Sequence, residues 1–164
     1  ERLNQLLQNA MNPLQEDMPE VVNGSRSFRL GDKVMQNKNN YDKGVFNGDI
    51  GYIVDLEPGR MLVHFGEELE AEYESSEFNQ LQLAYCMTVH KSQGNEFEAV
   101  IIPMFSGPPQ LYYRNLLYTA VTRAKKTLVL VGNPSTVEYM VNNNRRTKRY
   151  SGLKEFLLRD DTLY

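Results

Sequence analysis

The chain has 164 residues, of which 41% are hydrophobic, enough to bury one good core or two small ones. Its 18 basic and 21 acidic residues give a net charge of -3, which excludes a broad electrostatic grip on nucleic acid and leaves only local contacts. The single cysteine, Cys86, excludes an internal disulfide framework, and its apolar neighbours predict a buried core thiol. This cysteine usage is typical of a reducing compartment, and we expect a cytoplasmic protein.

No apolar run approaches the roughly 18 residues that a helix needs to span a bilayer. The polar start ERLNQLLQN does not resemble a signal peptide. We therefore expect no membrane partner. The abrupt opening leads us to expect a fragment of a longer protein.

The first periodic pattern is helical and stops at Asn12 and Pro13. Its apolar positions are Leu3, Leu6, Leu7, Ala10 and Met11. Residues 15–27 are rich in Pro, Glu, Asn, Gly and Ser, and they predict a weakly ordered surface connection. We expect one amphipathic helix, followed by this connection.

Short β-type runs dominate residues 28–83, namely FRLGDKVMQ, DIGYIVDLE, RMLVHF and LEAEYE. Turn signals such as NG and PG separate them, so they predict a small antiparallel barrel. His64, inside RMLVHF, is expected to be a partnered structural histidine. An alternating acidic run predicts the outward face of a hairpin strand and not a magnesium site. Its members are Glu67, Glu68, Glu70, Glu72 and Glu74.

Strands and helices alternate from residue 81 onward. The order is strand LQLAYCM, a short helix, strand AVIIPM, helix QLYYRNLLYTAVTRA, strand TLVLVG and helix PSTVEYMVNNN. Such alternation predicts an α/β fold with a mostly parallel sheet. We place the barrel, residues 28–80 with its entry segment, as an insertion in an α/β domain formed by 1–27 and 81–164. The opening helix is expected to pack on the α/β part.

Two segments concentrate the polar chemistry. Residues 88–100, TVHKSQGNEFEAV, follow a predicted strand, and residues 116–126, LLYTAVTRAKK, end an apolar helical run at Arg123 beside Thr119 and Thr122. A nucleotide phosphate needs such a fixed cation with polar donors nearby, so we expect a ligand edge. An alternative is that Arg123 only offsets a helix dipole, and that His90 and Lys91 form a solvated helix start.

The stretch NKNNYDKGVFNGDIG, which ends with residues 44–51, is the third candidate segment. It offers amide donors and aromatic faces of the kind that hold a single nucleic-acid strand, although turn chemistry alone explains most of the pattern. The candidates are Asn39, Asn40, Tyr41, Phe46 and Asn47. The basic run RRTKR, residues 145–149, is either a backbone contact or a solvated charge run.

Taken together, these segments resemble the C-terminal part of a RecD-type helicase, a superfamily-one enzyme of 5′ to 3′ polarity. The resemblance covers nearly the whole chain. It implies a second RecA-like motor domain of the P-loop NTPase type, in which helices flank a parallel sheet, with an inserted SH3-like antiparallel β-barrel. Residues 88–100 resemble helicase motif V, residues 116–126 resemble motif VI, and GVFNGDIG resembles the RecD-type barrel entry.

The resemblance also implies roles for single residues. Arg123 would be the catalytic arginine finger that reaches the γ-phosphate of ATP, while Gly94 and Glu96 would lie against the ribose and phosphates. Gln93 would couple this nucleotide end to the strand-contacting end. The strand-contacting residues of motif V would be Thr88, His90, Lys91 and Ser92.

Neither a GxxxxGK[ST] phosphate loop nor a strand ending in an Asp-Glu pair occurs in the chain. We therefore expect ATP and Mg²⁺ to be bound mainly by the N-terminal RecA-like domain of the parent protein, and this fragment to lack ATPase activity alone. Single-stranded DNA is the expected partner, in recombination or repair. Several alternatives stay open: nuclease-complex subunits as further partners, RNA preference, opposite polarity, and a non-catalytic SH3-like module that binds nucleic acid or protein.

Overall fold

A computed structural model describes residues 1–66, 69–105 and 107–144. Two of the acidic residues, Glu67 and Glu68, lie outside the described residues, as does the basic run 145–149. No described helix is long and apolar enough to cross a membrane. The elements are α1 (Arg2–Met11), β1 (Glu20–Asn23), β2 (Arg26–Arg29), β3 (Lys33–Gln36), β4 (Ile50–Glu57), β5 (Arg60–Phe65), β6 (Leu69–Glu74), β7 (Leu81–Leu83), β8 (Phe97–Met104), α2 (Arg114–Val121), β9 (Ala124–Gly132) and α3 (Pro134–Asn142).

Five strands form an antiparallel sheet in the order β6-β5-β4-β3-β7. Alternate residues of β5 are buried, as a strand with one face on a core requires. Gly51 in β4 lies where an added Cβ would come within 2.6 Å of the His64 carbonyl oxygen, so only glycine fits there. The predicted antiparallel strands are confirmed as a sheet whose edge strands β6 and β7 are not paired with each other in the described residues. Closure into a barrel stays a prediction, and the word barrel is used below for this sheet. Its core includes Phe28, Val34, Val45, Ile53, Met61, Val63, Tyr73, Phe78 and Leu81.

Strands β8 and β9 form a separate parallel pair. Helices α2 and α3 cover one face through Leu117 and Met140, which cluster with Met104. The opposite face is open, with Ile101 70% and Val131 45% exposed. Parallel sheets are normally covered on both faces, so we expect this strand pair to belong to a larger sheet. The mostly parallel sheet is thus confirmed only for one strand pair.

Two expectations about the surface of the barrel are confirmed. His64 Nδ1 lies 3.4 Å from Glu70 Oε1 on the neighbouring strand, so this histidine has the expected partner. Glu70, Glu72 and Glu74 are exposed on β6. Cys86 differs from its prediction because it is half-buried in the chain after β7. Burial still raises the pKa of its thiol, which keeps it protonated.

The expected weakly ordered connection at 15–27 is wrong for its second half. Strands β1 and β2 form an antiparallel hairpin in which Asn23 pairs with Arg26. The two residues between them include Gly24, whose φ of 63° favours glycine. Both strands have only four residues, and the surrounding segment 15–27 is rich in Pro, Glu, Asn, Gly and Ser, so its composition resembled that of a loop.

Helix α1 is present as predicted, but it turns its polar side chains inward. Gln8 is only 2% exposed, whereas Leu3, Leu6 and Met11 are 50%, 59% and 70% exposed. Its side-chain hydrogen bonds reach the β1–β2 hairpin, the β2–β3 turn and the backbone of Cys86. The expected packing on the α/β part is therefore wrong, because the groups that bind α1 lie in the β1–β2 hairpin, in the β2–β3 turn and in the chain after β7.

Two further expectations after the barrel are also corrected. Strand β7 pairs with β3 and so joins the antiparallel sheet, whereas LQLAYCM was expected to begin the α/β part. Residues 89–94 form turns where a short helix was expected. The division into 28–80 and the flanking segments 1–27 with 81–164 stays a prediction.

A buried carboxylate organises the junction between α1 and the barrel. Asp32 is fully buried and accepts hydrogen bonds from the side chains of Gln8, Asn12 and Tyr85 and from the backbone N–H of Arg29. Four donors compensate the loss of hydration of this group. Burial, aided by the hydrogen bond to Asp32, raises the pKa of Tyr85 to about 12.

The Asp32→Ala variant tests this junction. It leaves three side-chain donors and one backbone donor without their acceptor, so we expect the free energy of unfolding to fall by about 3 kcal/mol. Urea unfolding measures this loss, with Asp42→Ala on an exposed turn as the matched control. A loss below about 1 kcal/mol would show that the donors find other partners.

The raised pKa of Tyr85 predicts a specific alkaline sensitivity. A phenol with a normal pKa of 10.0 loses its proton in the unfolded state first, so stability is fully present below pH 10 and is lost between pH 10 and about 12. The Tyr85→Phe variant should therefore show a shallower loss of stability across that window. Tyr41→Phe, at a side chain that is 77% exposed, should leave the pH profile unchanged.

Candidate functional site

Arg123 lies where helix α2 turns into strand β9. Its backbone N–H donates to the carbonyl oxygen of Ala120 at 3.2 Å, which closes the last turn of the helix. Its own carbonyl oxygen accepts a 2.8 Å hydrogen bond from the N–H of Phe97, the first residue of β8. The motif VI and motif V segments therefore meet at the beginning of the parallel strand pair.

The Arg123 guanidinium is held by neutral oxygen atoms. Nε donates to the Thr119 carbonyl at 3.2 Å, Nη1 to the Asn95 carbonyl at 3.0 Å, and Nη2 to Thr122 Oγ1 at 3.4 Å. No carboxylate of the described residues forms an ion pair with it. An oriented and uncompensated guanidinium is suited to binding an anion, since its forked donors match phosphate oxygens.

The lysines that follow Arg123 differ from it, because both have carboxylate partners. Lys125 Nζ lies 3.6 Å from Glu96 Oε2, and Lys126 Nζ lies 2.7 Å from Glu98 Oε2. All four side chains are mostly exposed, so each pair stabilises the fold only weakly. Glu96, expected to contact a ribose, thus lies on the surface beside Lys125 and has no buried structural role.

Tight turns shape the first half of the motif V segment. The N–H of Ser92 donates to the Thr88 carbonyl at 3.1 Å, and the N–H of Lys91 donates to Thr88 Oγ1 at 3.3 Å. Ser92 is 6% exposed, and its hydroxyl donates to the Val89 carbonyl at 2.8 Å. Ser92 therefore stabilises the turn, and direct contact with a strand would require the turn to open.

The remaining candidates of this segment are accessible. His90, Gln93 and Gly94 are exposed, and Thr88 is exposed as well. Gly94 has a φ of 86° with no atom within 4 Å of an added Cβ, so the backbone conformation, and not space, requires glycine. A ligand can approach this backbone closely.

Contacts of three side chains join the motif V and β8 segments to the barrel. Lys91 Nζ donates to Gln82 Oε1 at 2.8 Å and to Asn37 Oδ1 at 3.2 Å. Its third donor has no acceptor among the described residues. Asn95 Nδ2 donates to the Gly48 carbonyl at 3.2 Å. Lys33 Nζ lies 5.6 Å from the ring centre of Phe97, and burial lowers its pKa.

The barrel entry segment combines an exposed aromatic pair with a hydrogen-bonded frame. Tyr41 and Phe46 are 77% and 46% exposed, with ring centres 5.8 Å apart in an edge-to-face arrangement. Asn39 Oδ1 accepts from the N–H of Asn47 at 2.9 Å. Asn40 bonds to Gln80 and pairs with Val45, so it mainly supports the segment. The aromatic faces remain open to stacking.

Sequence reasoning passed over the residues that connect these segments. Asn95 lies between Gly94 and Glu96, the two residues expected to contact the nucleotide. Its polar side chain next to a glycine could have indicated a hydrogen-bonding role. Asn37 and Gln82 lie in or next to barrel strands, and nothing in their spacing indicated a contact with Lys91. The described residues contain no cluster of three or more metal-ligating side chains.

Two stretches of the chain match helicase families. Residues 3–65 match the SH3 domain of ATP-dependent RecD-like DNA helicases, and residues 83–131 match the UvrD-like helicase C-terminal domain. The first stretch includes helix α1 as well as strands β1 to β5. The chain therefore joins a RecD-like helicase SH3 domain to a UvrD-like helicase C-terminal domain.

Known relatives narrow this class to RecD-type helicases, which confirms the resemblance found in the sequence. The chain is 34% identical to the ATP-dependent RecD2 DNA helicase of Deinococcus radiodurans, over 73% of this chain and 17% of that protein. It is 33% identical to the RecBCD enzyme subunit RecD of Mycobacterium tuberculosis, over 76% of this chain and 21% of that protein. The chain thus spans about a fifth of the length of the curated relatives it matches.

Solved Pif1 helicases share the fold. The Bacteroides Pif1 helicase in complex with ADP-AlF3 and single-stranded DNA has a TM-score of 0.56 at 18% identity, over 99% of this chain and 43% of that chain. Pif1 from Candida albicans has a TM-score of 0.55 at 18% identity, over 97% of this chain and 48% of that chain. This similarity concerns the fold, and it confirms a helicase-like α/β architecture.

Proposed function

We propose that this chain is the second motor domain, with its inserted barrel, of an ATP-dependent 5′ to 3′ DNA helicase that acts in recombination or repair in the cytoplasm. The proposal rests on one observation above all. The Arg123 guanidinium is oriented by three neutral oxygens and has no carboxylate partner among the described residues. That is the condition an arginine finger needs, because its charge has to remain available for the transferring phosphoryl group.

In this proposal, ATP and Mg²⁺ are held mainly by the N-terminal RecA-like domain of a longer protein. Bound ATP would supply the phosphoryl group, and Arg123 would offset the charge that develops on it. Gly94 and Glu96 would border the nucleotide, with Gln93 next to them. Since the chain has no phosphate loop, we expect the isolated chain to bind no nucleotide stably and to hydrolyse none.

The open face of the β8–β9 pair supports a larger motor domain. Ile101, Val129 and Val131 leave apolar surface on a parallel strand pair that needs cover. The exposed Leu3 and Leu6 of α1 form a second apolar surface of this kind. Further segments of the longer protein would cover both surfaces.

A single DNA strand would follow the exposed end of motif V and the barrel entry segment. The phosphate oxygens of the strand would accept hydrogen bonds from Thr88, His90 and the third donor of Lys91. Such contacts carry no sequence information. Tyr41 and Phe46 suit stacking with bases. The RecD2 relative is named as a DNA helicase, and the Pif1 structure that shares the fold contains single-stranded DNA, so DNA is the favoured substrate.

The Arg123→Ala variant of the full-length protein tests the arginine finger. We expect DNA-stimulated ATP turnover to fall by a hundredfold or more, because transition-state charge loses its counterion, while nucleotide affinity changes far less. Steady-state and single-turnover ATPase assays with single-stranded DNA measure both effects.

Arg2→Ala, on the exposed start of α1, is the matched control and should keep wild-type turnover. If Arg123→Ala also keeps wild-type turnover, the arginine finger is refuted. The chain would then be a non-catalytic SH3-like binding module, which is the alternative function.

Removal of the aromatic pair tests the path of the strand. We expect Tyr41→Ala with Phe46→Ala to weaken the binding of a single-stranded oligothymidylate by about thirtyfold or more, since each of the two stacked bases contributes at least about 1 kcal/mol. Fluorescence anisotropy measures the dissociation constant, and parallel titration with the matching RNA reports DNA or RNA preference. Tyr52→Ala, at a 51% exposed tyrosine of β4, is the control. Equal affinity of all variants would place the strand elsewhere.

A further inference from the structure

One residue contacts both the barrel and Arg123. The Asn95 side-chain amide donates to the Gly48 carbonyl of the barrel entry segment at 3.2 Å, and the Asn95 carbonyl accepts from Arg123 Nη1 at 3.0 Å. Its backbone N–H donates to the Ser92 carbonyl at 3.1 Å, which ties it to the motif V turn. Asn95 therefore connects the three segments that the sequence had singled out.

The Gly48 end of this connection is fixed to the part of the barrel that carries the exposed aromatic pair. The N–H of Gly48 donates to the Gln36 carbonyl at 2.9 Å, and its φ of 101° requires glycine. Asp49 Oδ2 accepts from the N–H of Phe46 at 2.7 Å. Phe46 and Asn47 directly precede Gly48 in the chain. A displacement of either residue would therefore also move the Gly48 carbonyl.

We infer that Asn95 is a positioning residue through which the barrel entry segment sets the orientation of Arg123. A strand that binds at Tyr41 and Phe46 would fix the Gly48 carbonyl, the Asn95 amide would follow it, and the Asn95 carbonyl would hold Arg123 Nη1 in its productive direction. A misplacement of about 1 Å at a catalytic group can cost roughly a hundredfold in rate, so one such contact suffices for coupling. This inference rests on the proposed function, since it presumes that Arg123 acts on ATP.

The side chain and the backbone of Asn95 have separate partners, and this separation makes the inference testable. The Asn95→Ala variant removes the donor to Gly48 but keeps the carbonyl that holds Arg123. In the full-length protein we expect the ratio of ATP turnover with saturating single-stranded oligothymidylate to turnover without it to fall by about tenfold, within the usual range of coupling between sites. The dissociation constant for the oligothymidylate should change by less than about twofold, because Asn95 itself lies outside the proposed strand contacts.

A second variant and a control distinguish the loss of the Asn95 contact from misfolding of the variant. Asn95→Asp keeps the size of the side chain but replaces its donor with a carboxylate, and it should lower the ratio in the same way. Asn79→Ala removes an exposed asparagine on the barrel and should leave the ratio unchanged. Thermal unfolding of each variant checks that the fold is retained.

The possible outcomes separate the inference from the proposed function. An unchanged ratio in both Asn95 variants, with Arg123→Ala inactive, would overturn the inference and leave the arginine finger intact. An equal fall of turnover with and without DNA would also overturn it, since Asn95 would then only support the turn. If Arg123→Ala keeps full turnover, the proposed function itself is refuted, and the inference with it.

Discussion

The buried carboxylate of Asp32 is the constraint on which the arrangement of the chain depends. A fully buried acid is tolerated only where donors surround it. These donors come from α1 and the residue that caps it, from the last residue of β2 and from Tyr85 after β7. Its hydrogen bonds thereby fix the point at which the chain leaves the barrel and enters the motif V segment. They also explain why α1 turns Gln8 inward and leaves Leu3 and Leu6 exposed, although hydrophobic burial alone would favour the opposite orientation.

Within the described residues, polar contacts, and not a shared apolar core, connect the barrel to the segment around Arg123. The two hydrophobic clusters are separate, one inside the antiparallel sheet and one between β8 and its helices. Between them lie the hydrogen bonds of Lys91 and Asn95 and the contact of Lys33 with the Phe97 ring. Such contacts cost less to break and remake than core packing does, so the relative position of these two parts depends on a small number of hydrogen bonds.

Much of the fold was predictable from local patterns. The alternation in RMLVHF and LEAEYE predicted β5 and β6, because a strand with one face on a core repeats every two residues. The β1–β2 hairpin was missed because its polar residues hid a pairing that only the Gly24 turn brings about. At the site, the residue types of Arg123, Gly94 and Lys91 pointed to anion chemistry, yet the contacts of Lys91 with Asn37 and Gln82 span 54 and 9 positions along the chain and leave no local signal.

By itself, the sequence determined an antiparallel β unit followed by alternating strands and helices, together with the short motifs that carry the resemblance to RecD-type helicases. These properties follow from periodicity, turn residues and short motifs, each of which acts over a few neighbouring positions. Only the tertiary structure decided which face of α1 is buried, that β7 joins the barrel, and that Asn95 lies between Gly48 and Arg123. The reason is physical, since hydrogen-bond partners of a buried or bridging polar group are chosen by the whole packed chain and not by its neighbours in sequence.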